Sequence, residues 1–432
     1  MQRLRTCNER CQTPFKIFGP IILAAVLLLA VLLSPFSFGL NHISKDTEKK
    51  AAVSLSANVL KGRLVKRQAL DDGYVPFFGS SEWSRFDPMH PSVLATKYHR
   101  NYRPFLLGAR GTQSLTQYFA MQSVKKQITN KKAVFVISPQ WFVPQGTRKD
   151  AFSYYYSPLQ TIDWLQDEQN TAMDRYAAQR LLQMPSGSSD RILEGALARV
   201  AAGFKPTSAQ MTYINYKARV LGSEDEFFSR FGIAGKNLRT VNAQANKLPA
   251  TYNFNQLNQL AGKIGAAQTD SNSLEISNQF WNTKLKRNYK RLKDSQRHLN
   301  YTKSPEFADF QLVLNQFAKT HTDVLFIIPP INQRWSAYTG LSMKMIAQFD
   351  KKIQYQLKSQ GFNNVLDLTQ DGGKDYFMTD TIHLGWRGWL AVDQKVDPFL
   401  TKKTKPVHYQ INDDFYSKEW QLLKPSEIKD FE

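Results

Sequence analysis

Five short apolar runs, set apart by stretches with helical periodicity, constrain this chain more than any other feature. They are residues 74–79 (YVPFFG), 103–109 (RPFLLGA), 133–138 (AVFVIS), 323–329 (DVLFIIP) and 364–369 (NVLDLT). Near-continuous apolar runs of this length read as strands buried on both faces, as in parallel sheets. Pro76 weakens the first, because proline removes a ladder donor. After the second run, Leu115, Phe119, Val124 and Ile128 recur at helical spacing, with Thr112 or Ser114 as the expected cap. Ser304 and Pro305 open another helix carrying Phe307, Phe310, Leu314 and Phe317. A third, from about residue 341 to 360, carries Ile346, Phe349, Ile353 and Leu357 and stops at Gly361. Strands alternating with helices predict an α/β fold with a mainly parallel five-stranded sheet and flanking helices. Residues 139–303 break the alternation and read as a large helical insertion. Residues 71–138 and 304–400 then form one composite α/β domain, followed by a C-terminal tail over 401–432.

The N-terminus carries a different signal. Residues 17–40 contain no charged side chain, and about 20 apolar residues suffice for a helix to cross a bilayer. The run is longer than a signal peptide's apolar core and has no small-residue cleavage pattern. It predicts one uncleaved transmembrane helix, with residues 1–16 cytoplasmic and 41–70 a polar stalk. Arg3, Arg5, Arg10 and Lys16 precede the run, and Lys45, Lys49 and Lys50 follow it, a small bias toward a cytoplasmic N-terminus. The only two cysteines, Cys7 and Cys11, fall on that reducing side. The expected location is therefore the cell membrane, single-pass, with the globular part outside. With 57 Lys and Arg against 36 Asp and Glu, the chain carries +21. A charge of that size seeks a polyanion. The topology argues against nucleic acid and for anionic lipid or a phosphate polymer of the envelope. Seven scattered histidines show no ligand spacing, so no metal or other cofactor is expected.

Ligands of doubly wound sheets bind at the carboxyl ends of the strands. Gly79, Ser80, Ser81, Glu82 and Trp83 follow the first strand; Ser138, Pro139, Gln140 and Trp141 follow the third; Asp380 and His383 follow the fifth. A serine needs a base, and the base an orienting acid. Three-residue spacing lets one turn hold the Asp380 carboxylate beside the His383 imidazole. Asp87 and His90 repeat that spacing, but they follow Ser81 too closely and do not follow the last strand.

These blocks resemble the SGNH (GDSL-like) hydrolase superfamily, with its strand, Gly-Asp-Ser and late Asp-x-x-His. Residues 77–82 (FFGSSE), 137–141 (ISPQW), 328–332 (IPPIN) and 379–386 (TDTIHLGW) together are similar to the DltD family, which acts in D-alanylation of lipoteichoic acid in Gram-positive bacteria. The resemblance implies an SGNH-like, flavodoxin-like fold and places the nucleophile on Ser81, with Ser80 in the usual position of aspartate. The superfamily's Gly-x-Asn-Asp block is replaced by residues 138–141, so Gln140 takes the oxyanion role by substitution. Gly111 corresponds to the second-block glycine, and Glu82 is either a helix-turn carboxylate or a group near the substrate amine.

The expected activity is a membrane-anchored serine acyltransferase, thioesterase or esterase. It would use a Ser81–His383–Asp380 triad, with Gln140, Gly111, Ser80, Glu82 and Trp141 around the oxyanion or substrate. The resemblance supplies D-alanine, lipoteichoic acid as acceptor, and as partners a membrane-bound O-acyltransferase with its acyl-carrier supply. The alternatives are an envelope ester hydrolase and a non-catalytic scaffold of the same machinery. Seven basic residues between 284 and 297, against the single acid Asp294, form either a solvated helix face or a docking surface for phosphate polymer or anionic lipid.

Overall fold

A computed structural model describes residues 18–27, 30, 42–404 and 406–431. Strands β1 (Tyr74–Phe78), β2 (Arg103–Leu107), β3 (Lys132–Val136), β4 (Asp323–Ile328) and β5 (Val365–Asp367) form one sheet in the order β2-β1-β3-β4-β5. Every pairing is parallel. This is the flavodoxin-like order, in which the chain switches direction between β1 and β3 and leaves a crevice at their carboxyl ends. Pro76 is accommodated because β1 pairs with β3 only at Phe77 and Phe78. All five strands coincide with the apolar runs to within two residues at either end.

Side chains alternate between the two faces of the sheet. Phe78, Phe105, Phe135 and Phe326 pack on one face with Phe307, Phe310 and Phe317 of the helix Glu306–Lys319 and with Ile346, Phe349 and Ile353 of the helix Met343–Lys358. Phe77, Leu106, Val134 and Leu325 face the other way, onto Val93 and Leu94 of Pro91–Lys97 and Trp389, Val392 and Val396 of Trp386–Thr401. Both faces are covered, which is why the strands read as continuous apolar runs rather than alternating ones. Between β3 and β4 the described residues form helices and turns only.

Three expectations are corrected. Residues 41–70 are not a stalk. The helices Lys45–Ala52, Ala57–Lys61 and Leu64–Asp71 bury Ala51, Val59, Leu60, Val65 and Ala69 in the same core as the sheet. Their small apolar residues are too dispersed to show a stripe but suffice to dock short helices. The C-terminal segment is no loose tail either: Phe415 and Trp420 are buried against Tyr355 and Phe307, and Phe431 packs on Phe415 and Trp420. Neither Thr112 nor Ser114 caps the helix Ser114–Gln122. The Ser114 N–H donates instead to Glu306 Oε1 at 2.8 Å, from a distant helix.

The apolar run over residues 17–40 lies mostly outside the described residues. Residues 18–27 are helical, and among the described residues no helix is long and apolar enough to cross a membrane.

Candidate active site

The turn after β1 is held by buried polar side chains. Thr112 Oγ1 donates to the Gly79 carbonyl at 2.8 Å, and Gln117 Nε2 donates to the same oxygen. A Cβ on Gly79 would lie 2.6 Å from Trp83 Nε1, and one on Gly108 would lie 2.5 Å from the Gly79 carbonyl carbon and 2.8 Å from Ser80 N. Glycine at both positions lets the ends of β1 and β2 close together. The chain then enters a single 3₁₀ turn, Ser81–Ser84. Ser81 stands at its first position, where an amide has no partner within the turn.

Ser81 Oγ lies 2.8 Å from His383 Nε2. His383 Nδ1 lies 2.8 Å from Asp380 Oδ2 and 2.9 Å from Oδ1. The Asp380 carboxylate also accepts the backbone N–H groups of Ile382 and His383, at 3.1 and 3.0 Å. Arg85 Nη2 donates to its Oδ2 at 2.8 Å. Burial alone would push this carboxyl up; the His383 charge and hydrogen bond, and then Arg85, outweigh burial and hold it below its ordinary range. An ionised Asp380 in this place can fix the Nδ1–H tautomer of His383, an arrangement able to leave Nε2 free for the Ser81 proton. The loop carrying this pair is tied down from outside: Thr381 O accepts from Asn332 N at 3.1 Å, and Thr379 O from Ser277 N at 2.9 Å. One tie comes from the 328–332 block after β4, the other from the insertion.

The remaining expected site residues fall elsewhere. Ser80 is buried, and its hydroxyl donates to the Ala109 carbonyl at 3.0 Å, away from His383. Glu82 is buried, accepting the Ser80 N–H at 2.7 Å and the Ser138 hydroxyl. It links the carboxyl ends of β1 and β3 and does not face a substrate amine. Trp141 closes the core, edge-on to Phe135, and its carbonyl accepts from Gln113 Nε2 at 3.0 Å. Gln140, on the turn Pro139–Trp141, and Gly111, at φ +93°, are not in the cleft wall. The second Asp-x-x-His also separates from the chemistry. His90 is fully buried, edge-on to the rings of Trp83 and Trp389, and its Nδ1 accepts the Ser92 N–H at 3.2 Å. Burial pushes the His90 imidazole down to about 3.

Ser81 and His383 open on a cleft of about 1130 Å³. Arg85 and Asp87 line it from the first loop and Arg110 from the loop after β2. The insertion builds the facing wall with Asn237, Thr240, Gln244, Ser277, Phe280 and Lys284. The Arg85 guanidinium sits 5.8 Å from the Phe280 ring centroid, so the two walls meet beside the Asp380 carboxylate. Sequence reasoning missed Arg85 and Gly108. The signal for Gly108 was a glycine closing an apolar strand; Arg85 offered none. Among the described residues no group of three or more His, Cys, Asp or Glu is arranged to hold a metal.

Known proteins resemble this chain over most of its length. The family described as DltD protein matches residues 52–401. A Protein DltD of Lacticaseibacillus rhamnosus is 51% identical over 406 residues, covering 93% of this chain and 95% of that protein. A Protein DltD of Bacillus subtilis is 31% identical over 393 residues, covering 89% and 97%, and one of Staphylococcus aureus is 28% identical over 394 residues, covering 90% and 97%. With a family match across most of its length and relatives matched almost end to end, this chain belongs to the DltD family.

Proposed function

We propose that this chain is a serine acyltransferase or esterase of the D-alanylation pathway, anchored by residues 17–40 with its N-terminus in the cytoplasm and its domain outside. The observation that carries the reading is the continuous hydrogen-bonded line from Ser81 Oγ through His383 to Asp380, opening on a cleft rimmed by arginine and lysine. In the first step His383 Nε2 takes the Ser81 proton as Oγ attacks the carbonyl carbon of an activated D-alanyl group. That proton passes to the departing thiol or alcohol, and a D-alanyl ester is left on Ser81. In the second, His383 takes the proton of an incoming glycerol hydroxyl of lipoteichoic acid. The new ester forms as Ser81 Oγ leaves and recovers the proton. Negative charge on the carbonyl oxygen is met by the Ser81 N–H at the start of its turn, with the loop after Gly108 beside it. The supply of D-alanyl groups comes from a membrane-bound O-acyltransferase and its acyl carrier.

Lys284, Lys286, Arg287, Lys290, Arg291 and Lys293 are exposed, while Leu285 and Tyr289 turn inward, the latter stacked 4.0 Å from Tyr338. Lys284 lines the cleft. A rigid cationic strip that begins at the cleft rim suits a phosphate polymer approaching Ser81. The test is D-alanine ester content of lipoteichoic acid in a strain carrying Ser81→Ala. The reading expects its loss, with the protein present at normal abundance; unchanged ester content refutes it.

A further inference from the structure

A single exposed phenylalanine, such as Phe204 beneath the Arg199 guanidinium, needs no explanation. The turn at residues 227–231 is different. Phe227, Phe228 and Phe231 cluster there with ring centroids 4.8, 6.3 and 6.5 Å apart. Phe228 is 43% exposed and Phe231 56%. Three aromatic rings held together at the surface mark a docking point. The surroundings say for what. Arg230 reaches toward the His42 carbonyl at 3.5 Å. Gly235, just past the turn, lies against Lys50 and Arg239. The apolar run ends at residue 40, two positions before His42. Lys49, Lys236 and Arg239 have no acidic partner within ion-pair distance among the described residues. Glu224, Asp225 and Glu226 precede the rings, but Asp225 is taken up by the Arg63 and Leu64 N–H groups; aromatic rings followed by Lys236 and Arg239, beside the point where a membrane segment ends, match the chemistry of an anionic lipid headgroup layer.

The same turn leads into the catalytic wall. The helix Lys236–Ala245 begins five residues after Phe231 and contributes Asn237, Thr240 and Gln244 to the cleft. Asn237 Nδ2 also donates to the Val53 carbonyl at 2.8 Å. From His42 to Val53 the chain is three extended residues and the helix Lys45–Ala52. At about 3.3 Å and 1.5 Å per residue, that spans at most roughly 25 Å. We propose that the Phe227, Phe228 and Phe231 turn docks on the surface of an anionic bilayer, and that this holds the mouth of the Ser81 cleft at the membrane face. Acyl donor and acceptor then both reach Ser81 from the lipid surface rather than from bulk water. The inference rests on the reading of residues 17–40 as a membrane anchor.

The full chain with Cys7→Ser and Cys11→Ser, reconstituted in vesicles of phosphatidylglycerol and phosphatidylcholine in equal parts, provides the test. An environment-sensitive fluorophore is placed on Phe231→Cys or, as control, Phe204→Cys, and quenching by lipids carrying a shallow spin label is measured. The proposal expects a blue-shifted Phe231→Cys label, quenched several-fold more than the Phe204→Cys label. Equal quenching of the two labels, with the chain still retained after alkaline carbonate washing, overturns the docking and leaves the anchor standing. Release of the chain by carbonate overturns the anchor, and the docking falls with it.

Discussion

Replacing Arg85 by methionine removes a cation from the outer side of the Asp380 carboxylate while keeping the reach of the side chain. Arg85 Nη2 lies 2.8 Å from Asp380 Oδ2, and the two side chains are 38% and 2% exposed. A hydrogen bond between charged groups is worth about 1.5–3 kcal/mol when dry. Solvent at Arg85 screens it, so about 1 kcal/mol is the appropriate magnitude. If that interaction is needed when His383 becomes a cation, kcat/KM for a short thioester falls about fivefold. Burial raises the Asp380 carboxyl, and His383 and then Arg85 outweigh it and hold the group below its ordinary value. Arg85→Lys gives a second readout: it restores the charge but not the fork, so it should recover kcat/KM in part. Unchanged kcat/KM in Arg85→Met refutes the positioning role.

Gly108→Ala places a Cβ against the Gly79–Ser80 peptide. It should lower kcat by about tenfold or more by displacing Ser81, and thermal denaturation should show a loss of stability as well. Changing Lys284, Lys286, Lys290 and Lys293 to glutamine should weaken binding to polyglycerol phosphate and flatten its salt dependence, measured by titration at several ionic strengths. Burial pushes the Asp87 carboxyl up to about 8. The folded state thus holds a proton there that the unfolded chain releases near pH 4, so this group's contribution to stability is full below that pH and is lost as pH rises toward 8. Asp87→Asn should accordingly gain stability relative to the parent as pH rises from about 4 to 8, followed by chemical denaturation at each pH.

The strands were legible because a sheet covered on both faces leaves runs such as residues 133–138 and 323–329 apolar throughout, independent of tertiary detail. Ser81, Asp380 and His383 were legible for a related reason: each follows a strand, and all carboxyl ends of a parallel sheet lie on one edge. Arg85 was not, because its partner is 295 residues away and no local pattern marks it. For Glu82 the sequence left two readings open, and the first holds: it is the carboxylate of the turn Ser81–Ser84. Next to Ser81 in sequence it also looks like a site residue, but its oxygens are taken by Ser80 N–H and the Ser138 hydroxyl. The docking of the helices over residues 45–71 into the core was not legible, because short segments fold on tertiary contacts rather than on propensity. The role of the insertion was hidden too, since Ser277, Phe280 and Lys284 reach the cleft through packing that periodicity does not encode.

The most direct test of the central claim is the covalent intermediate. The purified chain is mixed with a D-alanyl thioester, quenched in acid and digested, and the peptide containing Ser80 and Ser81 is sequenced by tandem mass spectrometry. The account predicts a D-alanyl mass on Ser81 that is absent from Ser81→Ala and His383→Ala and retained in Ser80→Ala. An acyl group on Ser80, or no acylated peptide while product still forms, contradicts it.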